Sequence, residues 1–492
     1  MIKMKNTYKI SLILFLTLLV GACSKDDLTL APQTALGEPN AFDTKERIVG
    51  QVNGLYASVK NGGFLGGRYY VYNDIREENF IPKSTNLVTN YATWNHTVIG
   101  STNEVQNLWG FVYASVNAIN LFLTGLDANY ASGKLATVGV SDAEYNQYKG
   151  EALALRGICY FSLLQLYAQP YNKDNGASPG LPLRLLAEKT AANNDLARSS
   201  VAETYAQILS DLNAAEPLLA TNNGSALLNV TRLHKNSVAA YKTRVYLHMS
   251  NWASVKSEAA KIVSATAPFT APSGVAFRLN TTFAGIWATP YTSTESVFSM
   301  PFTSTNLPGT QNGLAHYHHP SSSESYFLNK EPGTAYAMLV AADARKVLFQ
   351  TGTVSGNTEY FVGKWQNYTV QADYAPVIRY AEVLLNYAEA IAKSDGLTQQ
   401  AVDLLNAVRT RSFPAGTYTL ASFADVSAFL TAVMNERSME FLGEGIRNMD
   451  ILRTYQTIPG KQSIPAVPTT SKSYIWPIPD SEISTNKLMT VN

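Results

Sequence analysis

The 492-residue chain carries 38 Lys plus Arg against 37 Asp plus Glu with no long run of either sign, which excludes the basic footprint of a nucleic-acid binder and disfavours charged partners. Only 15% of residues are charged while 11% are aromatic, tyrosine above all, and Asn, Ser and Thr are abundant; such a surface suits neutral, hydroxyl-rich ligands. Length alone makes two or three domains the default, so the domain count must come from the pattern along the chain.

The first element is a leader. Lys3, Lys5 and Lys9 precede an apolar run from Ile10 to Val20, followed by Gly21-Ala22-Cys23. That run is too short to cross a bilayer, which takes roughly 20 residues, and small residues before a cysteine are what a signal peptidase reads. Residues 1–22 are therefore expected to be a lipoprotein signal peptide, with Cys23 the lipidated first residue of the mature chain. Each acyl methylene buried in lipid contributes roughly 0.8 kcal/mol, so two or three chains anchor the protein without spanning the membrane. Residues 23–40, with Pro32, Gly37 and Pro39 and no apolar period, read as a linker that lifts the body off the lipid. Once Cys23 is acylated, Cys159 has no partner for an intrachain disulfide and reads as a small core residue.

The body, residues 41–492, reads as mostly helical. Gly62 to Thr102 is the first loop-rich region. Trp109 and Tyr113 follow in a helical pattern (LWGFVYASVNAINLFL) and are expected in the core. Glu151 to Tyr167 is apolar nearly all round, the mark of a helix buried on most sides, and Pro170 forbids its continuation. Asn236 to Met249, a turn at Ser250-Asn251, and Trp252 to Val263 form a helix hairpin, with Ala239, Ala240, Ala253, Ala259 and Ala260 at the expected close approach. From Ala267 to Phe361 the chain changes to Gly, Pro, Ser, Thr and aromatics, with helical spacing only at Ala335 to Phe349. A loop region of this length inside a compact protein is uncommon unless it carries function, and its aromatic content argues against disorder. A second hairpin follows, Pro376 to Ala392 with Tyr380, Leu384, Tyr387 and Ile391 on one face, then Gln399 to Arg411 beyond Gly396. Both hairpins run near the tetratricopeptide length of roughly 34 residues, so a stacked helical scaffold is expected. The two loop-rich regions, about 62–102 and 267–361, are expected to meet and form the working face.

Several segments together resemble the SusD/RagB family. Beyond the Cys23 lipobox these are EALALRGICYFSLLQLY (151–167), PVIRYAEVLLNYAEA (376–390), LNAVRTR (405–411), NERSMEFLGEGIRNMDILR (435–453) and WPIPDSEISTNKLMTVN (476–492). Ser24-Lys25-Asp26-Asp27 likewise resembles the short signal that sends Bacteroidetes lipoproteins to the cell surface. Ser438, Met439 and Lys487 depart from the family pattern. The resemblance implies one SusD-like domain over 41–492. It also implies an outer-membrane, surface-exposed lipoprotein that captures oligosaccharide or polysaccharide and hands it to a SusC-like TonB-dependent transporter. No enzyme activity and no cofactor is expected. Two other readings stay open: capture of peptides, as the RagB branch implies, and a docking protein that grips a partner helix and takes no small ligand.

Read physically, the charges of 435–453 sit at i, i+3 and i, i+4 spacings and suit a buried network. Glu440 and Glu444 could be mistaken for a glycosidase pair, yet Arg437 and Arg447 nearby would hold both ionised when one must keep a proton. His316, His318 and His319 invite a metal, but no Cys is near and the next carboxylate is Glu324; no metal site is expected. Trp476-Pro477-Ile478-Pro479 should lace across helices as a rigid strap. Sugars are held without catalysis by rings that stack on pyranose faces and by amides and carboxylates that take the hydroxyls. The candidates are Trp94, Tyr91, Asn95, His96, Arg68 and Tyr69 in the first loop region, and Trp287, Tyr291, His316 and Tyr317 in the second. Trp94 and Trp287 lead, and an open ring-lined hollow is expected between them.

Overall fold

The computed structural model describes residues 40–492; Cys23, the signal peptide and nearly all of the linker lie outside the described residues. Its frame is a series of helices, each packed on the next. In chain order the principal elements are α1 (Lys45–Val59), α2 (Arg68–Arg76), β1 (Phe80–Pro82), α3 (Asn103–Ala131), α4 (Asp142–Tyr167), α5 (Val201–Leu218), α6 (Lys235–His248), α7 (Trp252–Ile262), β2 (Ser296–Met300), β3 (Tyr326–Leu328), β4 (Gln350–Val354), β5 (Asn357–Phe361), β6 (Ala375–Arg379), α8 (Tyr380–Asp395), α9 (Gln399–Ser412), α10 (Val426–Glu440) and α11 (Arg447–Arg453).

Local chemistry sets the helix starts. Ser141 with Glu144 and Ser200 with Glu203 form reciprocal capping boxes at α4 and α5, while Thr398 and Asp425 accept from backbone N–H groups at α9 and α10. Helix α4 is the central rod: from Tyr148 on it is buried almost all round, as its apolar composition requires, and Cys159 lies within it fully buried. The hairpin α6–α7 packs against the hairpin α8–α9, giving the stacked scaffold. Ala239, Ala240 and Ala259 are buried at the crossing, whereas Ala253 and Ala260 face solvent. Trp109 is buried within α3, with its ring 4.8 Å from that of half-buried Tyr113.

Three expected helices end differently. Pro376–Arg379 is strand β6, fully buried and paired antiparallel with β2, and helix begins only at Tyr380. A short apolar run has no period that separates buried strand from buried helix, and here β2 from the insertion supplies a partner. The segment 435–453 is two helices, because Gly443 (φ 86°) and Gly445 (φ 71°) adopt left-handed backbone. A Cβ on Gly443 would meet Trp365 at 3.0 Å and one on Gly445 the Tyr70 backbone at 3.0 Å. In Ala335–Phe349 helix is confined to Ala335–Met338 and a tight turn Ala344–Leu348, where the Asp343 carboxylate accepts the Arg345 N–H.

The C-terminal segment closes the frame. The Trp476 backbone N–H donates to the Leu166 carbonyl at 2.6 Å, and its fully buried ring packs 5.1 Å from Tyr72 and 5.5 Å from Tyr167. The extended strap across helices is therefore present.

Candidate functional site

The two loop-rich regions do meet. Strand β1 pairs antiparallel with β3, Ile81 facing Phe327. Lys83 donates to the carbonyls of Pro320 (2.6 Å) and Ser322 (3.1 Å), and Arg68 reaches the Gln311 carbonyl through Nε (3.3 Å) and Nη2 (3.2 Å).

They meet with their rings turned inward, which corrects the expectation of an open hollow. Trp94 is only 4% exposed; its indole N–H donates to the Phe80 carbonyl at 2.8 Å, and the Lys461 ammonium lies 5.4 Å from its ring. Trp287, 9% exposed, packs against Phe283 and Trp365, with Lys364 at 5.0 Å and the Arg379 guanidinium at 5.4 Å from its ring. Ring contacts run from Trp287 to Phe80, whose carbonyl takes the Trp94 indole N–H: Trp287 meets Trp365 at 5.6 Å, Trp365 meets His318 at 4.9 Å, and His318 meets Phe80 at 5.4 Å. The result is a closed aromatic seam. Its driving force is ring area removed from water, supplemented by cations seated on ring faces.

Four of the other eight expected contact residues, Tyr69, His96, His316 and Tyr317, are part of the same interior. Tyr69 is buried with its hydroxyl on Met449 Sδ (3.7 Å), Tyr317 donates to the Gln311 carbonyl (2.7 Å), and His316 pairs with Glu324 (3.0 Å). His96 is buried in left-handed backbone (φ 60°); burial first, then Arg76 and Lys461, push its pKa down to about 2. Arg68 is partly buried and committed to Gln311. Tyr91, Asn95 and Tyr291 remain half-buried, with Asn95 Oδ1 accepting from the Thr97 N–H at 3.2 Å. His316, His318 and His319 occupy three different seats, and no group of three potential metal ligands occurs among the described residues.

Half-buried rings cluster instead around a loop just past the insertion, residues 364–374 (KWQNYTVQADY). Tyr368 stacks on His319 with centroids 5.2 Å apart and planes 8° apart, and Tyr374 lies 4.9 Å from Tyr291. The loop is held by its own polar groups: Asn367 Oδ1 accepts from the Val370 N–H at 3.0 Å, and Asp373 accepts from the Asn367 N–H (3.0 Å) and the Tyr291 hydroxyl (3.1 Å). Burial raises the Asp373 pKa, with the Tyr291 hydroxyl and backbone amides working against that rise. Exposed Gln366 and half-buried Asn367 place amides on the same loop. Two ring pairs with amides beside them can stack on sugar faces and bond sugar hydroxyls. Tyr368 and Tyr374 lie outside the boundary drawn at Phe361; their tyrosine- and amide-rich stretch was the available signal.

Glu440 and Glu444 belong to a buried ion network. Arg379 binds Glu444 bidentately (Nε–Oε2 2.8 Å, Nη2–Oε1 2.8 Å), Arg411 Nη2 meets Glu440 at 2.6 Å, Lys364 meets Glu444 at 2.6 Å, and Arg345 joins Asp343 to Glu436. Burial alone would raise both carboxyls, but Arg411, Arg379 and Arg345 hold Glu440 far below its usual value, and Arg379 with Lys364 lower Glu444. A second cluster links Arg437, Asp450, Arg453 and Glu389. Charges removed from water persist only when paired in this way.

Comparison with known proteins agrees with this architecture. Residues 28–247 match the family described as "Starch-binding associating with outer membrane", and residues 334–492 match the SusD family. SusD-like protein P38 of Formosa agariphila is 22% identical over 97% of this chain and 96% of its own. Surface glycan-binding protein A from Bacteroides thetaiotaomicron, solved in complex with laminarihexaose, superposes at TM-score 0.69 and 17% identity, covering 90% of this chain and 98% of that one. A SusD superfamily protein from Bacteroides fragilis superposes at TM-score 0.80 and 30% identity, over 92% of this chain and all of that one. Helical frame, internal ion network and C-terminal strap thus coincide with the matches at both ends: the chain belongs to the SusD/RagB family.

Proposed function

We propose that this protein is a cell-surface glycan-binding lipoprotein of the outer membrane, anchored through Cys23, that captures an oligosaccharide and passes it to a SusC-like TonB-dependent transporter without making or breaking a covalent bond. The observation that carries the reading is two half-buried ring pairs, the stacked His319–Tyr368 and the tilted Tyr291–Tyr374, presented by loops braced on a rigid helical frame. Ring faces at such spacing suit the C–H faces of pyranose units, and the adjacent amides suit their hydroxyls. The family description, which names starch binding and the outer membrane, and the laminarihexaose bound by one structural neighbour support a carbohydrate ligand and a surface location.

The test is migration of the full chain in native gels cast with a panel of neutral and acidic polysaccharides. Retardation by at least one glycan is expected; indifference to all of them overturns the reading. Co-purification of a TonB-dependent transporter with the membrane-anchored protein tests the hand-over separately.

A further inference from the structure

On the far side of the hairpin β4–β5 lies a cleft of about 500 Å³, within the roughly 300–1,000 Å³ typical of small-ligand sites. Its construction follows from strand alternation. In β5, Asn357, Glu359 and Phe361 share one face, and the opposed residues of β4 are Val354, Gly352 and Gln350. Gly352 keeps this face narrow, since a Cβ there would meet Pro320 at 2.7 Å and Phe361 at 3.0 Å. Across the gap, half-buried Phe327 of β3 packs 6.3 Å from Phe361, so a ring lies in the floor. The opposite wall ends at Gln462, next to Lys461. Lys461 is buried and its ammonium donates to the carbonyls of Ile75 and Glu77, which fastens that wall to the end of α2.

The charge of the cleft is one-sided. Glu359, 8% exposed, and exposed Glu331 contribute two carboxylates against one ammonium, that of Lys330, which meets Glu359 Oε2 at 2.7 Å. The Lys330 side chain is 44% exposed and can swing into water, whereas Glu359 is fixed in the wall. With Oε2 held by Lys330, Glu359 offers one remaining acceptor oxygen beside an apolar ring, with no donor fork for a second anion.

We propose that this cleft is a ligand subsite for uncharged sugar residues, with Phe327 beneath the ring and Glu359 accepting hydroxyl protons, and that its net negative charge rejects uronate- and sulfate-bearing glycans. The proposal rests on the glycan-binding reading above and adds to it a selection by charge. An ionised carboxylate oxygen is a strong acceptor for a sugar hydroxyl, while an acidic sugar would place like charges together in a partly desolvated wall.

The test is calorimetric titration of the full chain with laminarihexaose, cellohexaose and maltohexaose as neutral probes and with hexagalacturonic acid as the anionic one. At least one neutral probe should bind at least tenfold more tightly than the anionic one. Phe327→Ala and Glu359→Gln should each weaken it about tenfold. Asn357→Trp, at an exposed position where folding is retained, should block the cleft and abolish most of the same binding. Glu359→Lys should narrow the neutral-over-anionic preference. Neutral binding unchanged in Asn357→Trp but lost in Tyr368→Ala overturns the subsite and leaves the glycan-binding reading standing. Equal affinity for hexagalacturonic acid in the unaltered chain overturns the charge selection. Binding of none of the four probes, together with indifference to every polysaccharide on the gels, overturns both.

Discussion

The indole N–H of Trp94 donates to the carbonyl of Phe80 at 2.8 Å, tying the short helical turn Tyr91–Trp94 to the strand that pairs with the insertion. Trp94 is thereby part of the seal between the two loop regions. Trp94→Ala should destabilise the fold by about 3–5 kcal/mol, the range for removing a buried Trp, and lower any glycan binding only in step with the folded fraction. Urea unfolding followed by tyrosine fluorescence or circular dichroism measures the first. Binding normalised to folded protein measures the second, and a selective binding loss at full stability would contradict it.

The half-buried rings should behave in the opposite way. Tyr368→Ala and Tyr291→Ala remove side chains with one side toward solvent, so their stability cost should stay near 1 kcal/mol. Affinity for the glycan identified on native gels should fall about tenfold or more, because ring stacking is lost. Thermal melting and calorimetry on the same samples separate the two effects.

Removing one member of the internal ion network should be severe. Glu444 holds Arg379 through two 2.8 Å contacts and also pairs with Lys364, so Glu444→Ala leaves buried Lys364 with the Glu440 carbonyl in place of a carboxylate and Arg379 with only Glu295 and Glu440. Loss of about 3–5 kcal/mol is expected, against a smaller loss for Glu444→Gln, which keeps an acceptor oxygen in place. The comparison of their urea midpoints checks this order.

Acidification should destabilise the protein well above the carboxylate range. Burial holds His96 at about 2, His234 at about 4 and His248 well below its ordinary value, with Arg453 a further cause for His248. As pH falls below about 6.5 the unfolded chain binds protons at these three sites and the native protein does not. Stability present above pH 6.5 is therefore lost on acidification, by about 1.4 kcal/mol per pH unit per histidine. Glu77 works the other way: burial, then Glu78 and Asp74, raise its carboxyl well above the usual value, which opposes this trend in part. Urea midpoints should drop between pH 7 and pH 5, and His96→Asn, which tolerates the left-handed backbone, should flatten that slope. An unchanged slope would contradict the assignment.

Much of the frame was legible in the residues. The i, i+4, i+7 spacing of Tyr380, Leu384 and Tyr387, the nearly continuous apolar character of 151–167 and the i, i+3 pair Asp450–Arg453 each report a local period, and local periods survive folding, whereas Arg447 leaves its i, i+3 neighbour Asp450 for remote Glu78. The break at Gly443–Gly445 and strand 375–379 were not legible, because both are set by groups remote in sequence: Trp365 and Tyr70 crowd the glycines, and β2 supplies the pairing partner. The meeting of the two loop regions was readable from their shared composition. Which rings would face outward was not. A tryptophan in a loop has the same composition whether its N–H finds water or, as at Trp94, the Phe80 carbonyl. Tyr368 and Tyr374 owe their placement to the self-bonded loop of Asn367 and Asp373, a tertiary arrangement that composition does not encode.

The seating of Trp476 against Tyr72, Tyr167 and the Leu166 carbonyl also governs the order in which the molecule can be finished. A chain made from its amino end delivers the central rod early and the ring that covers it near the last. Until that segment arrives, the rod's aromatic seat stands open to water and to holdase chaperones. The frame is consequently completed only once the last segment is available, and chains interrupted before residue 476 expose a sticky aromatic seat that quality-control proteases can read.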